Sequence, residues 1–214
     1  MSKLQSVSQW PRAEQPATRL YDVGPAAMSD AELLSLYLRP HAARTQVETA
    51  RMLVADAGSL SALLSESDVP QLRAILELAK RCLSEQLSAG SALSSPAAVR
   101  DYLRLTFAGR EHEVFVVLYL DAQHRIIGTD ELFRGTLTQT SVYPREVVKA
   151  ALRSNAAAVI FAHNHPSGVA EPSQADELLT RTLKGALSLV DVEVLDHFIV
   201  AGNRTLSFSE RGLL

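Results

Sequence analysis

One cysteine in 214 residues is the first scarcity. Cys82 has no partner for an intramolecular disulfide, which fits a reducing compartment. Its place in a helical pattern predicts a small packing residue. No apolar run reaches the length of a membrane span, and the N-terminus lacks the charged-then-apolar plan of a signal peptide. A cytoplasmic protein with no membrane partner is expected. Positive charge is scarce as well. The formal net charge is −3, with 9 basic and 10 acidic side chains in residues 1–95 and 12 and 14 in residues 96–214. Neither half has the basic excess that drives polyanion binding. No internal repeat or low-complexity block occurs. What is present is globular composition, 47% apolar and 21% charged, over a length that suits one or two domains.

Two unequal parts are expected. Residues 1–18 carry two prolines without periodicity and read as an arm, with Trp10 packing onto a domain. Ser29-Asp30-Ala31-Glu32 is a capping box opening a helix that carries Leu33, Leu34, Leu36 and Leu38. Gln46–Ala57 is a second helix stopped by Gly58, and a short one follows around Leu60–Leu64. Pro70–Gln86 is a fourth, with Leu72, Ile75, Leu76, Leu78 and Ala79 as its buried stripe. This is a small helical domain, residues 1–88. The Ser, Ala, Gly and Pro of residues 88–98 read as a linker to a second domain over 95–214.

From Ser95 the pattern changes. Ser95-Pro96 opens a helix to Phe107; Val114–Leu120 and Arg125–Leu132 form a hairpin; Pro144–Arg153 is a helix. A strand over 156–163, a helix over Ser173–Leu189, and strands Val192–Val200 and Thr205–Phe208 complete it. Helices alternating with strands predict an α/β (α+β) fold with a mixed sheet.

The densest chemistry lies in His163-Asn164-His165-Pro166-Ser167-Gly168 and on to Asp176. Residues two apart on a strand point the same way, so His163 and His165 aim at one point. Pro166 favours an extended His165, Ser167-Gly168 opens a turn, and Ser173 with Asp176 forms a capping box at the next helix. Asp176 then sits in the first helical turn, within reach of both histidines. Two imidazoles and one carboxylate leave a fourth position open, the pattern of a catalytic zinc rather than a closed structural one. Asp176 and Ser173 serve as caps on either reading. His41, His112 and His124 have no ligand-like spacing to one another.

The His-x-His…Ser-x-x-Asp run resembles the zinc motif of the JAMM (JAB1/MPN-type) metalloprotease superfamily. The C-terminal half more closely resembles bacterial RadC-type (UPF0758) proteins. Glu113-Val114-Phe115, Leu132 to Leu137, Pro144-Arg145-Glu146, His163 to Asp176 and Leu195-Asp196-His197 carry the likeness. It implies a JAMM/cytidine-deaminase-like mixed sheet with flanking helices, and one Zn2+ per chain on His163, His165 and Asp176. It further implies Glu113, before an early strand, as general acid/base, with Glu111 the fallback, and Ser173 as donor to a developing oxyanion. His197 reads as a partner to a ligand or, more commonly, as a satisfied strand histidine. Arg134 and Arg145 read equally as substrate holders or as structural ion pairs.

RadC-type proteins also carry a helix-hairpin-helix with a Gly-Ile-Gly-like turn whose amides can hold a phosphate. Between Leu64 and Leu76 this chain has no glycine pair, and Glu66 and Asp68 would repel phosphate. The expectation is a zinc metallohydrolase, a metallopeptidase or isopeptidase acting on a peptide or protein substrate. The alternative is a DNA-associated factor with a structural or vestigial zinc site, which the acidic balance and the missing turn argue against.

Overall fold

In the computed structural model the described residues are 7–39, 44–92, 95–135 and 142–214. His41, Thr136 and Leu137 lie outside them. The chain divides into two compact units, Met1–Leu78 and Ala79–Leu214.

The first unit is helical among its described residues. Two 3-10 turns, Val7–Gln9 and Arg12–Glu14, precede α1 (Pro16–Asp22). The expected arm is thus corrected: Pro16 opens α1 at its first turn, where its fixed φ costs nothing, and Val7 and Trp10 pack on the helical core. Helix α2 (Asp30–Ser35) starts on the Ser29–Glu32 capping box, and α3 (Gln46–Ala57) on an equivalent box of Thr45 and Glu48. Gly58 ends α3 in the left-handed conformation (φ 73°), which glycine adopts without a Cβ penalty. Helix α4 (Leu60–Glu66) leads through Ser67, Asp68 and Val69 directly into α5 (Pro70–Ala89). Leu34, Leu38, Val47, Ala50, Leu63 and Leu72 form the core.

Three readings change along α5. Leu78 is exposed, because the inward stripe follows the three-and-four spacing of Leu72, Ile75, Leu76 and Ala79 and leaves Leu78 off it. Cys82 is exposed as well. The division into compact units falls within α5, and the segment expected as a linker begins with ordered residues. Leu87 and Ala92 belong to the core of the second unit, and the Ala92 amide donates to the His124 carbonyl (2.8 Å). Leu87 and Ala92 are therefore tied into the second unit.

The second unit is built on a five-stranded mixed sheet in the order β2-β1-β3-β4-β5. Its strands are β1 (Val114–Leu120), β2 (Ile126–Arg134), β3 (Ala158–Asn164), β4 (Glu193–Ala201) and β5 (Arg204–Ser207). β1 runs antiparallel to β2 and β3, β3 parallel to β4, and β4 antiparallel to β5. Every residue of β1 and β3 is buried, as expected of central strands covered on both faces.

Alternation along the strands sorts side chains to two layers. One layer joins Val116, Leu118, Ile160, Ala162 and Phe198 to Val99, Leu103 and Phe107 of α6 (Pro96–Phe107). The other joins Phe115, Val117, Val159 and Phe161 to α7 (Pro144–Arg153) and α8 (Gln174–Ser188), through Val147, Ala150, Leu183 and Leu187. Both layers are fully dry at their centres, with Leu103 and Leu183 at 0% exposure. Each of Leu103→Ala and Leu183→Ala is expected to lower stability by about 2–5 kcal/mol, the range for a cavity left in a packed core. Urea unfolding reads this as a lower midpoint at unchanged slope.

Candidate metal centre

His163 lies at the end of β3 opposite Phe115 of β1, on the α8 side of the sheet. His165 continues the strand geometry, its amide donating to the Val200 carbonyl (2.8 Å). Gly168, at φ 80°, then closes the Pro166-Ser167-Gly168 turn by donating to the His165 carbonyl (3.1 Å). The loop returns to α8, where Ser173 is the N-cap. The Ser173 hydroxyl accepts from the Asp176 amide (3.1 Å), and the Ser173 amide and hydroxyl both donate to Asp176 Oδ2 (2.7 Å each). The box fixes the Asp176 carboxylate in the first turn, where the helix dipole also favours a negative charge.

Four donor groups converge there. Glu113, His163, His165 and Asp176 bring one ligand atom apiece to within 4.8 Å of one another, the one such group among the described residues. His163 Nε2 is 2.9 Å from His165 Nε2 and 3.3 Å from Asp176 Oδ1, and His165 Nε2 is 3.7 Å from Asp176 Oδ2. Glu113 Oε1 stands further off, 3.9 Å from each Nε2. Burial works to raise the Asp176 carboxyl, but the His163 imidazole and the Ser173 hydroxyl and amide outweigh it and hold the group well below the usual carboxylate range. Asp176 is therefore an anion.

The hydrogen-bond network assigns both imidazole tautomers. A carbonyl only accepts, so His165 Nδ1, 2.9 Å from the Val169 carbonyl, carries that ring's proton. His163 Nδ1 faces His197 Nε2 at 2.8 Å. His197 is 0% exposed, and burial and then His163 push its imidazole well below the ordinary value, so it is neutral. With the other nitrogen of each ring committed in this way, the two Nε2 atoms face one another across 2.9 Å. The Nε2–Nε2 separation of 2.9 Å and the His163 Nε2–Asp176 Oδ1 separation of 3.3 Å lie near the edge of about 3.3 Å of a tetrahedron drawn with metal–ligand bonds of about 2.0–2.1 Å. The donor set, two imidazoles and one carboxylate with Glu113 beside them, could hold a metal ion.

The remaining sequence candidates fall on either side of this geometry. Glu113 is in the group; Glu111 is exposed and is not. Arg134 pairs in register with Val114, on the α6 face and away from the histidines, and is exposed. Arg145 is exposed beside Glu146 (3.4 Å).

Two residues of structural weight escaped the sequence reading. Asn164, between the two histidines, points to the opposite face. Its Oδ1 accepts from the Val114 amide (2.8 Å) and its Nδ2 donates to the His112 carbonyl (2.9 Å), which holds the backbone on both sides of Glu113. A polar residue ending a strand buried on both faces must find partners, and that was the available signal. Thr180 lies one turn beyond Asp176 on the same helical face and touches His197.

Residues 93–213 match the RadC-like JAB domain family, and residues 7–82 match the UPF0758 N-terminal family. The chain belongs to the RadC-like JAB family, whose domain has the JAMM-type metallohydrolase fold. It is 54% identical to a UPF0758 protein of Nitrosomonas eutropha, 55% to one of Nitrosospira multiformis and 56% to one of Dechloromonas aromatica. Each comparison covers 98% of this chain and 100% of the relative.

Asn164→Ala strips a buried amide and a buried carbonyl of their partner, a cost of about 1–3 kcal/mol. The expected outcome is faster hydrogen exchange at the Val114 amide with metal binding retained. Exchange at Val114 unchanged from the parent protein would remove Asn164 from this role.

Proposed function

We propose that the protein is a zinc-dependent metallohydrolase that cleaves an amide bond, as a metallopeptidase or isopeptidase. The observation that carries this reading is the pair of Nε2 atoms facing each other beside the anionic Asp176, with Glu113 3.9 Å from both rings. A zinc ion held by His163, His165 and Asp176 would supply electrophilic polarisation of a carbonyl and acidify a water to a pKa of about 7.

The chain's own residues do the rest. Glu113 stands off the histidine–aspartate triad by the distance a general base needs to reach a water rather than the ion. Its carboxylate takes the water's proton and returns it to the departing amine. Asn164 keeps Glu113 at that spot by gripping the backbone of residues 112 and 114. The Ser173 hydroxyl donates to the oxyanion that forms as the carbonyl is attacked. At rest it donates to Asp176, so this role requires rotation about its χ1.

The substrate is a peptide or protein. A DNA-associated role is disfavoured by the α4–α5 connection, three residues with no glycine and with Asp68 within it. Helix starts bind phosphate through free amides and a favourable dipole, and a carboxylate at the entry opposes both.

Metal analysis of the purified chain is expected to find one zinc per molecule, lost in His163→Ala and Asp176→Ala. Full zinc occupancy in both variants would refute the ligand set.

Glu113→Gln is expected to keep the zinc and the fold while abolishing amide hydrolysis, because Gln cannot accept the proton. A general base typically contributes about 10²–10⁴-fold in rate. Full activity in Glu113→Gln with an inactive Glu111→Gln would move the base to Glu111.

Anisotropy titrations with single-stranded, duplex and branched DNA at about 150 mM salt are expected to show no useful binding, because a net-acidic chain neutralises few phosphates. Submicromolar, structure-selective binding would restore the DNA-associated reading.

A further inference from the structure

The structure assigns to Thr180 and His197 a role in setting which nitrogen of His163 is free to meet a metal ion. This inference rests on the metallohydrolase reading for its consequence, but its geometry stands apart from it.

The argument starts on α8. The Thr180 hydroxyl has one proton, and it donates that proton to the Asp176 carbonyl one helical turn back (2.7 Å). Having spent its proton, Thr180 Oγ1 meets His197 Nδ1 at 2.6 Å and can only accept. His197 must therefore carry its proton on Nδ1. A neutral imidazole has one N–H, so His197 Nε2 is left bare. At 2.8 Å from it, His163 Nδ1 must then be the donor. In the neutral His163 ring Nε2 is then the bare nitrogen, and it is the one that faces His165 and Asp176.

Each step leaves the next a single choice. Metal-bound histidines commonly donate their second N–H to a carboxylate, a carbonyl or water, which accept whatever happens. Here the acceptor is another histidine, which can accept at Nε2 only if its own proton is held on Nδ1. Thr180 supplies that hold.

The surroundings leave His197 no other way to keep its Nδ1 proton. Phe115, Phe161 and Phe208 pack around its ring at centroid distances of 5.7, 5.9 and 4.7 Å. Thr180 is 1% exposed and His197 0%, so bulk water does not reach either. The run also begins on the backbone of Asp176 and ends on the ring of His163, so it joins two members of the donor group through α8 and β4. Thr180 and His197 are positioning residues, since both act through His163.

Loss of the Thr180 hydroxyl has a defined consequence. His197 can then move its proton to Nε2 and donate to His163 Nδ1. His163 in turn carries its proton on Nε2, pointing at the place of the ion, and must be re-tautomerised before it can bind. Partners of metal-binding histidines typically matter by about 10–100-fold in affinity.

Two measurements test this. Nitrogen NMR of the histidine rings in the metal-free parent protein should find protons on Nδ1 of both His163 and His197, with His197 Nε2 bare. Zinc affinity, read by competition with a chromophoric chelator, should fall about 10–100-fold in Thr180→Val and stay near the parent value in Thr180→Ser. Valine keeps the shape of threonine and serine keeps its hydroxyl, so the pair separates packing from hydrogen bonding. A His197 proton on Nε2, or a Thr180→Val protein binding zinc as the parent does, would overturn the inference. If the parent protein binds no zinc at all, the metal reading fails, while the NMR measurement still decides the order of protons.

Discussion

Two imidazole nitrogens held face to face at 2.9 Å are the constraint around which the second unit is organised. Neither ring can turn its lone pair elsewhere. His165 is fixed by the Val169 carbonyl, within the turn that Gly168 closes, and His163 by His197 from inside the core. The Asp176 carboxylate adds the negative charge that makes the place attractive to a cation. The two apolar layers on either side of the sheet hold these groups in place.

The sheet explains how so few residues achieve this. Because β3 is buried on both faces, its last three positions serve different purposes. Ala162 fills the α6 layer, His163 meets the α8 layer, and Asn164 turns back to the α6 side to hold the start of β1. The parallel neighbour β4 places His197 opposite Phe161, one step back from His163 on the same face. Asp196, next to it, accepts from the His197 and Ser209 amides and thereby pins the end of the chain to the sheet. Burial works to raise its carboxyl, and those bonds together with the Ser207 hydroxyl oppose the rise.

Much of this was legible in the residues. Local signals placed the hairpin β1–β2, the helix Pro144–Arg153, the Gly58 stop and the Ser29–Glu32 and Ser173–Asp176 capping boxes, because caps and turns are short-range devices; the Thr45–Glu48 box was missed. The His-x-His run and the capped Asp176 carried the donor group for the same reason. What escaped depends on contacts between distant segments. Thr180 looked like an ordinary helical residue until β4 brought His197 against it. Asn164 looked incidental because its partners, Val114 and His112, lie some fifty residues earlier. Cys82 and Leu78 were placed inside by the helical pattern, whereas the face a helix buries is set by what packs on it. The opening segment looked irregular because its order comes from Pro16 and from Val7 and Trp10 resting on the helical core, which no periodicity records.

Anomalous scattering at the zinc edge from crystals of the zinc-loaded protein tests the central claim most directly. The account predicts one ion within bonding distance of His163 Nε2, His165 Nε2 and a single Asp176 oxygen, with the Nδ1 atoms of both rings still on His197 and Val169. An ion bound through an Nδ1 atom, or one held away from this trio, would contradict it.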